Sequence, residues 1–338
     1  MHISEFLPVL SELHAAIRSA VVKACESQSI EAVSAIADDS DVADTIFAID
    51  KVSEELLHAM LEPHAKRLGG ILLIAEGLPE AGLRLPHDQP EESLKWRVIV
   101  DPIDGTRGLM YQKRSAWVLT GVAPNRGKAT TLLDIELAVQ TEIPLVKQHL
   151  CDVFSAIRGQ GVTATRLNRL TGVSVPLFVR PSKAHTIEQG YSALTRLFPG
   201  ARDVLAAIDE DLVARVLGPA KASRAQCFED QYASTAGQLH ELLVGHDRFL
   251  ADLRPLMDSV LASRGLPSAM YCHPYDICTS LIAEEGDVVV RAADGSQLDV
   301  PLDVTTPVAW AGYANATIQA QVEPALLQIL RERQLIGV

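Results

Sequence analysis

Cysteine is scarce and scattered in this chain of 338 residues: Cys25, Cys151, Cys227, Cys272 and Cys278 are odd in number and include no CxxC pair. That excludes a disulfide framework and a thiolate zinc site, both of which need clustered cysteines, and leaves the thiols as small core residues. Long apolar runs are missing too. None approaches the roughly 18 residues of a membrane span, and the N-terminus has no basic stretch followed by an apolar one, so the expectation is a cytoplasmic protein with no membrane partner. Positive charge is in deficit: Lys and Arg number 30 against 43 Asp and Glu, for a formal net charge of -13. This disfavours a nucleic-acid or anionic-membrane surface, although a small anionic ligand remains compatible because a bound metal inverts the local field. The chain has no Gly-x-Ser-x-Gly elbow and no glycine-rich P-loop, so neither a serine nucleophile nor ATP use is indicated. Internal repeats and low-complexity tracts are absent as well.

What is present is globular: 48% hydrophobic and 22% charged residues, in a chain long for one compact domain and comfortable for two lobes. Ile3, Phe6, Leu7, Leu10, Leu13, Ile17 and Val21 recur at helical spacing and predict a helix from 3 to about 26. A second is expected after Asp50, with Val52, Leu56 and Met60 on one stripe, ending near Gly69-Gly70. Short segments without helical periodicity follow at 71–74, 96–100, 116–122, 132–139, 153–157 and 173–179, which read as one large antiparallel sheet covered by the first two helices. Beyond Pro181-Ser182 the pattern alternates. Helices are expected at 201–217, 231–244, 254–263, 276–285 and 323–333, the last opening near Pro324, and strands at 248–250, 288–290 and 308–311. The expected organisation is therefore a lobe over 1–180 carrying most candidate ligands and an α/β lobe over 181–338.

The most informative segment is Asp101-Pro102-Ile103-Asp104-Gly105-Thr106, directly after the apolar run Val98-Ile99-Val100. It sets two carboxylates at a strand end. Pro102 fixes one φ and Gly105 permits a sharp turn, so Asp101 and Asp104 are able to converge, with the Gly105 and Thr106 amides facing the same point. Hard divalent cations take oxygen ligands and often share them with phosphate, so the pattern points to phosphoryl chemistry. Ordinary turn punctuation is the competing reading of Asp, Pro and Gly. Three further acids stand at element ends. Glu76 follows the strand 71–75, Asp50 suits the N-cap of the second helix, and Asp276 precedes a helix carrying Ile277, Leu281 and Ile282. Each has a structural explanation of its own.

An Asp before a helix, a Glu after a strand, Asp-Pro-Ile-Asp-Gly-Thr after another strand and, far downstream, Tyr275-Asp276 opening a helix together resemble the inositol monophosphatase family. That family belongs to a superfamily of Mg²⁺-dependent, lithium-sensitive phosphatases that includes fructose-1,6-bisphosphatases and 3′-phosphoadenosine 5′-phosphate phosphatases. The likeness runs from Asp50 to about Gly286, with weaker echoes at Gly159-Gln160-Gly161-Val162 and Ser234-Thr235-Ala236. It implies a layered αβαβα sandwich of the sugar-phosphatase type, of α+β or α/β class, with the site between two lobes. It also implies two or three Mg²⁺ ions. One is implied on Glu76, Asp101 and the Ile103 carbonyl, and another on Asp101, Asp104 and Asp276. Asp50 and Thr106 would activate water, and the Gly105 and Thr106 amides would hold phosphate. The implied function is hydrolysis of a small phosphorylated metabolite, with homodimers as the family's tendency.

The chain departs from the family's pattern at several places. Ala75-Glu76-Gly77 stands where members commonly carry Gly-Glu-Glu, Tyr275-Asp276 replaces Trp-Asp, and Glu284-Glu285-Gly286-Asp287 replaces Glu-Ala-Gly-Gly. The position seven before the last metal Asp, a Glu in inositol monophosphatases, is Ala269. Arg107-Gly108 is closer to the Lys-Gly of the phosphoadenosine phosphatases, and Arg107 is either a second phosphate contact or a solvated loop residue. The 249–265 segment looks like extra material before the last motif, either part of the specificity wall or a surface elaboration. His240 and His246, six apart, have a poor metal spacing. The alternatives to a metabolite phosphatase are thus a 3′-phosphoadenosine 5′-phosphate phosphatase and a catalytically inactive relative that binds a phosphorylated ligand.

Overall fold

Helices and sheets stack in five layers in the computed structural model of the chain, which describes residues 2–27, 32, 36–38, 46–220 and 222–337, the side chains of 36–38 and 46–55 excepted. A two-stranded ladder of β1 (Ile36–Asp38) and β2 (Ile46–Phe47) precedes the main body. The large sheet has eight strands: β3 (Ile71–Ala75), β4 (Leu83–Leu85), β5 (Trp96–Asp104), β6 (Ala116–Pro124), β7 (Leu137–Ile143), β8 (Leu150–Ile157), β9 (Val162–Asn168) and β10 (Ser174–Pro176). Their order is β10-β9-β8-β7-β6-β5-β3-β4, and β3 with β5 is the one parallel pair in an otherwise antiparallel sheet. The antiparallel reading of the sequence thus agrees with the structure except at that pair.

Side chains alternate across each strand, so successive residues feed two different cores. Val98, Val100, Val118, Val122 and Val139 face α1 (Phe6–Ser27) and α2 (Ala48–Leu68), against Phe6, Leu10, Leu13, Ile17 and Val21 of the amphipathic stripe. Ile99, Trp117, Leu119 and Phe154 face the other way, onto a helical layer made of α5 (Thr235–Leu243), α7 (Pro274–Ile277) and α8 (Ser280–Glu285). The short α3 (Thr106–Met110) follows β5, and α6 (Asp258–Ser263) precedes α7. Behind the middle layer comes a four-stranded sheet ordered β11-β12-β14-β13: β11 (Tyr191–Leu194), β12 (Asp247–Asp252), β13 (Val289–Ala292) and β14 (Trp310–Tyr313). Its far face, with Phe249, Ala251, Ala311 and Tyr313, packs on α4 (Arg202–Leu217) and α9 (Ala316–Glu332). The result is the αβαβα sandwich. Among the described residues no helix is long and apolar enough to cross a membrane.

Several boundaries differ from the sequence reading, each for a local reason. Helix α2 begins at Ala48, so Asp50 lies in its first turn rather than at the N-cap, and its side chain falls outside the described residues. Leu132–Asp134 forms a 3₁₀ turn rather than the start of a strand, because Thr131 and Asp134 close a capping box; β7 starts only at Leu137. The helix expected over 276–285 is two helices, with Cys278 and Thr279 between them and the Thr279 hydroxyl donating to Gln140 Oε1 at 2.9 Å. Helix α9 does not open at Pro324. It begins where Asn315 Oδ1 accepts from the Thr317 and Ile318 amides, at 2.9 and 3.0 Å, and Pro324 sits inside it on the exposed side. Strands β4, β9 and β11 were not marked by the sequence. Two are only three or four residues long, and β9 (Val-Thr-Ala-Thr-Arg-Leu-Asn) has little apolar alternation.

A small polar cluster sits in the outer core. His14 of α1 is buried with Nε2 2.8 Å from Thr120 Oγ1 on β6 and Nδ1 3.0 Å from Thr141 Oγ1 on β7. Burial, helped by the positive charge of Arg18, lowers its pKa from 6.5 to about 3, so the folded protein holds this ring neutral. Between those two values the unfolded chain binds a proton that the folded chain refuses. Stability is therefore complete above about 6.5 and falls as the pH drops towards about 3, by up to about 1.4 kcal/mol per pH unit. Replacing His14 by Gln is expected to cost about 1–3 kcal/mol at neutral pH and to flatten this acid limb. Urea denaturation at intervals from pH 7 to 4 measures both; an unchanged acid slope in the variant would refute the assignment.

Candidate metal centre

Residues three apart on a regular strand point to opposite faces, yet Asp101 and Asp104 share one. The reason is a bulge. Asp101 lies opposite Leu119 and Asp104 opposite Trp117, so three steps along β5 face two along β6. The extra residue turns the chain locally and re-aims the next side chain, and Pro102, which has no amide to give to a ladder, suits the place. The turn is further tied down by its own groups: Asp101 Oδ1 accepts from the Ile103 amide at 2.9 Å, and Thr106 Oγ1 donates to the Ile103 carbonyl at 2.8 Å. Gly105 then reverses direction with φ of 95° and begins α3. A side chain there would be strained, and its Cβ would lie 3.0 Å from Ser234 Cβ.

The third carboxylate arrives from the middle helical layer. Asp276 occupies the first turn of α7, where its Oδ2 accepts from the His273 amide at 2.6 Å. Tyr275 is buried beside it, stacked on His273 with ring centroids 5.4 Å apart. The approach of this segment to the sheet depends on Gly121 of β6, since a Cβ there would meet the Cys278 carbonyl at 3.0 Å and Ile135 Cδ1 at 2.8 Å. Oxygens of Asp101, Asp104 and Asp276 come within 4.8 Å of one another. Asp101 is 1% exposed and Asp104 6%, while Asp276 is half-buried.

Burial and like charge act together on this group. Burial first, then the charges of Glu76, Asp104 and Asp276, hold the Asp101 carboxyl well above the usual carboxylate range. For Asp104 burial dominates and pushes it up to about 6, against bonds from Ala236, Ser234 and Thr235 and the nearby charge of Arg254. The donor set is oxygen only, clustered and mutually repelling, with no thiolate or imidazole in it. Such a set fits a hard divalent cation of the Mg²⁺ class, whose charge would remove the repulsion.

A cleft of about 160 Å³ opens over the carboxylates. Glu76, in the turn after β3, lines it without belonging to the three-aspartate group. Ile103, Gly105, Thr106 and Arg107 line it as well, Arg107 being exposed. Phe198, which sequence reasoning did not single out, and Arg254, from the segment read as specificity wall or surface elaboration, also line the cleft. Arg254 is buried, with Nε donating to Asp252 Oδ1 at 2.8 Å, Nη2 to Oδ2 at 2.6 Å and Nη1 to the Met270 carbonyl at 3.1 Å. Its guanidinium lies 5.3 Å from the Phe198 ring centroid. The signal available was the pair Asp252-x-Arg254 directly after the apolar Phe249-Leu250-Ala251; the reading of 249–265 as extra material is corrected by the structure, in which 249–252 belongs to β12 and is paired with β11 and β14. Ala269 faces a separate small apolar cavity with Leu205 and Leu261 rather than the cleft. His240 and His246 lie elsewhere. His240 is buried 3.8 Å from Asp152 and 3.6 Å from Glu241; burial works against its charge, yet the two carboxylates prevail and raise its pKa to about 9. His246 pairs with Glu241 at 2.5 Å.

Neither a protein-family model nor a curated protein sequence matches the chain. Solved structures do. The extragenic suppressor protein SuhB of Bartonella henselae superposes with a TM-score of 0.62 at 16% identity, over 96% of this chain and 98% of the other. The fructose-1,6-bisphosphatase of Leishmania major superposes with a TM-score of 0.66 at 12% identity, over 98% of this chain and 96% of the other. The chain therefore has their fold from end to end, the layered sandwich expected of it.

The bulge and turn make a test of the site's local geometry. Gly105→Ala is expected to lower the unfolding free energy by about 1–3 kcal/mol, from the left-handed φ and the contact with Ser234 together. Chemical denaturation measures it, and a loss below about 0.5 kcal/mol, the range of a neutral surface change, would contradict the strained turn.

Proposed function

We propose that the chain is a Mg²⁺-dependent phosphomonoesterase that hydrolyses a small phosphorylated metabolite. The observation that carries this reading is the convergence of Asp101, Asp104 and Asp276 beside the Gly105-Thr106 start of α3, in one cleft. The fold supports it, since a fructose-1,6-bisphosphatase is among the structures that share it.

In this reading Glu76, Asp101 and the Ile103 carbonyl hold one ion, and Asp101, Asp104 and Asp276 hold a second. Ions bound there supply a Lewis acid for the phosphoryl oxygens and for the attacking water. The chain's own residues do the positioning that phosphoryl transfer chiefly requires. Thr106, whose hydroxyl donates to the Ile103 carbonyl, orients the attacking water in this reading. Asp50, on the first turn of α2, shares the orientation of that water with Thr106. The Gly105 and Thr106 amides receive the phosphate, and Arg107, exposed at the rim of the cleft, adds a bidentate donor.

The test is phosphate release from inositol, sugar and 3′-nucleotide phosphates, with and without Mg²⁺. Wild type is expected to release phosphate only with the ion, and Asp101→Asn to lose at least about 100-fold while remaining folded, since even outer partners of a metal ligand are worth 10- to 100-fold. Release that persists in Asp101→Asn or without divalent ions would overturn the mechanism. A folded wild type that binds Mg²⁺ and releases nothing would instead favour a phosphate-binding role.

A further inference from the structure

The geometry points to Ser234 as a positioning residue of the metal centre: its hydroxyl locks the Asp104 carboxylate to the start of α5, and so sets how that ligand faces Asp101 and Asp276. This rests on the metal-centre reading above and goes beyond it, because Ser234 touches neither ion nor substrate in that scheme.

Ser234 is 4% exposed and stands at the N-cap of α5 in extended conformation. Its Oγ accepts from the Gly237 amide at 2.8 Å and donates to Asp104 Oδ2 at 2.8 Å. A hydroxyl has one proton. With the Gly237 amide occupying the acceptor side, that proton is directed at Asp104. The Ala236 amide donates to the same Oδ2 at 2.7 Å, so two donors from one helical turn grip a single carboxylate oxygen. The helix itself is fixed to the large sheet. The Tyr232 hydroxyl donates to the Ser115 carbonyl at 2.8 Å and accepts from Trp117 Nε1 at 3.1 Å, and Gly237 rests directly on the Tyr232 ring, where any Cβ would lie 2.4 Å from it. Ser234 also backs Gly105, through the close approach already described. One side chain therefore supports both a ligand and the turn next to it, and partners of this kind commonly tune metal affinity by 10- to 100-fold.

Three variants of the full-length chain separate this role from helix capping. Ser234→Ala removes cap and lock together. Ser234→Gly removes the lock but leaves a residue that is nearly as good at an N-cap. Ser234→Thr restores the hydroxyl. Calorimetric titration of metal-free protein with Mg²⁺ and with Mn²⁺, alongside the melting temperature without metal, is expected to show affinity weakened about tenfold or more in Ala and Gly and close to wild type in Thr. Wild-type affinity in both Ala and Gly, whatever happens to the melting temperature, would reduce Ser234 to a cap. Equal weakening in Thr would show that the hydroxyl is not responsible. Either result leaves the metal centre standing, whereas a wild type that binds no divalent ion overturns both readings.

Discussion

Like-charged carboxylates brought together in a water-poor cleft are the constraint to which the rest of this structure answers. Left to themselves Asp101, Asp104 and Asp276 would swing apart, because each is buried or half-buried within range of the others. The chain prevents this in one way three times over. Each aspartate accepts a backbone amide from a residue close to a turn or a helix start: Ile103 for Asp101 at 2.9 Å, Ala236 for Asp104 at 2.7 Å and His273 for Asp276 at 2.6 Å. Amides cannot rotate away as side chains can, so the donors are as rigid as the elements that carry them. Those elements are in turn clamped, β5 by cores on both of its faces and α5 and α7 between two sheets.

Much of this was legible in the sequence, and the pattern of success has a physical basis. The amphipathic stripe of α1, the runs that became β3, β5 and β6, and the Asp-Pro-Ile-Asp-Gly-Thr segment are dense local signals, each decided within a few residues. Asp101, Asp104 and Asp276, each at an element end with its own structural explanation, could be named together only through the family resemblance; the structure brings them within reach of one another. What could not be read was whatever depends on partners distant in the chain. The bulge is defined by its register against Leu119 and Trp117, and the Ser234 bond spans 130 positions. The buried pair Asp252 and Arg254 was hidden because, from the sequence alone, an Arg after a strand is most often a solvated one. Boundaries moved for a different, local reason: Asn315 starts α9 through side-chain bonds to the next turn that no periodicity reveals.

Identities of 12% and 16% with structures that share the fold show how few positions such an architecture dictates. The requirements visible here are mostly steric or electrostatic rather than specific: a residue without Cβ at 121 so that the α7 segment can lie on the sheet, one at 105 so that the chain can reverse, and alternation in the strands to feed two cores. Within that frame the walls of the cleft are free to differ. Here one wall carries a guanidinium neutralised by the carboxylate at the end of β12 and laid against the Phe198 ring.

The order in which the cluster's parts occur along the chain has a consequence for synthesis. A ribosome delivers β5 with Asp101 and Asp104 long before it delivers Ser234, Ala236 and Asp276, and the sheet strands up to β10 are complete by residue 176. The large sheet has all its neighbours by then, together with the helices that cover its outer face. Its inner face, bearing Trp117, Leu119 and Phe154, and the two repelling aspartates at its end must wait uncovered until about a hundred more residues have emerged. Cover for that apolar face and the third aspartate of the cluster thus come from the same late stretch of chain, the middle helical layer.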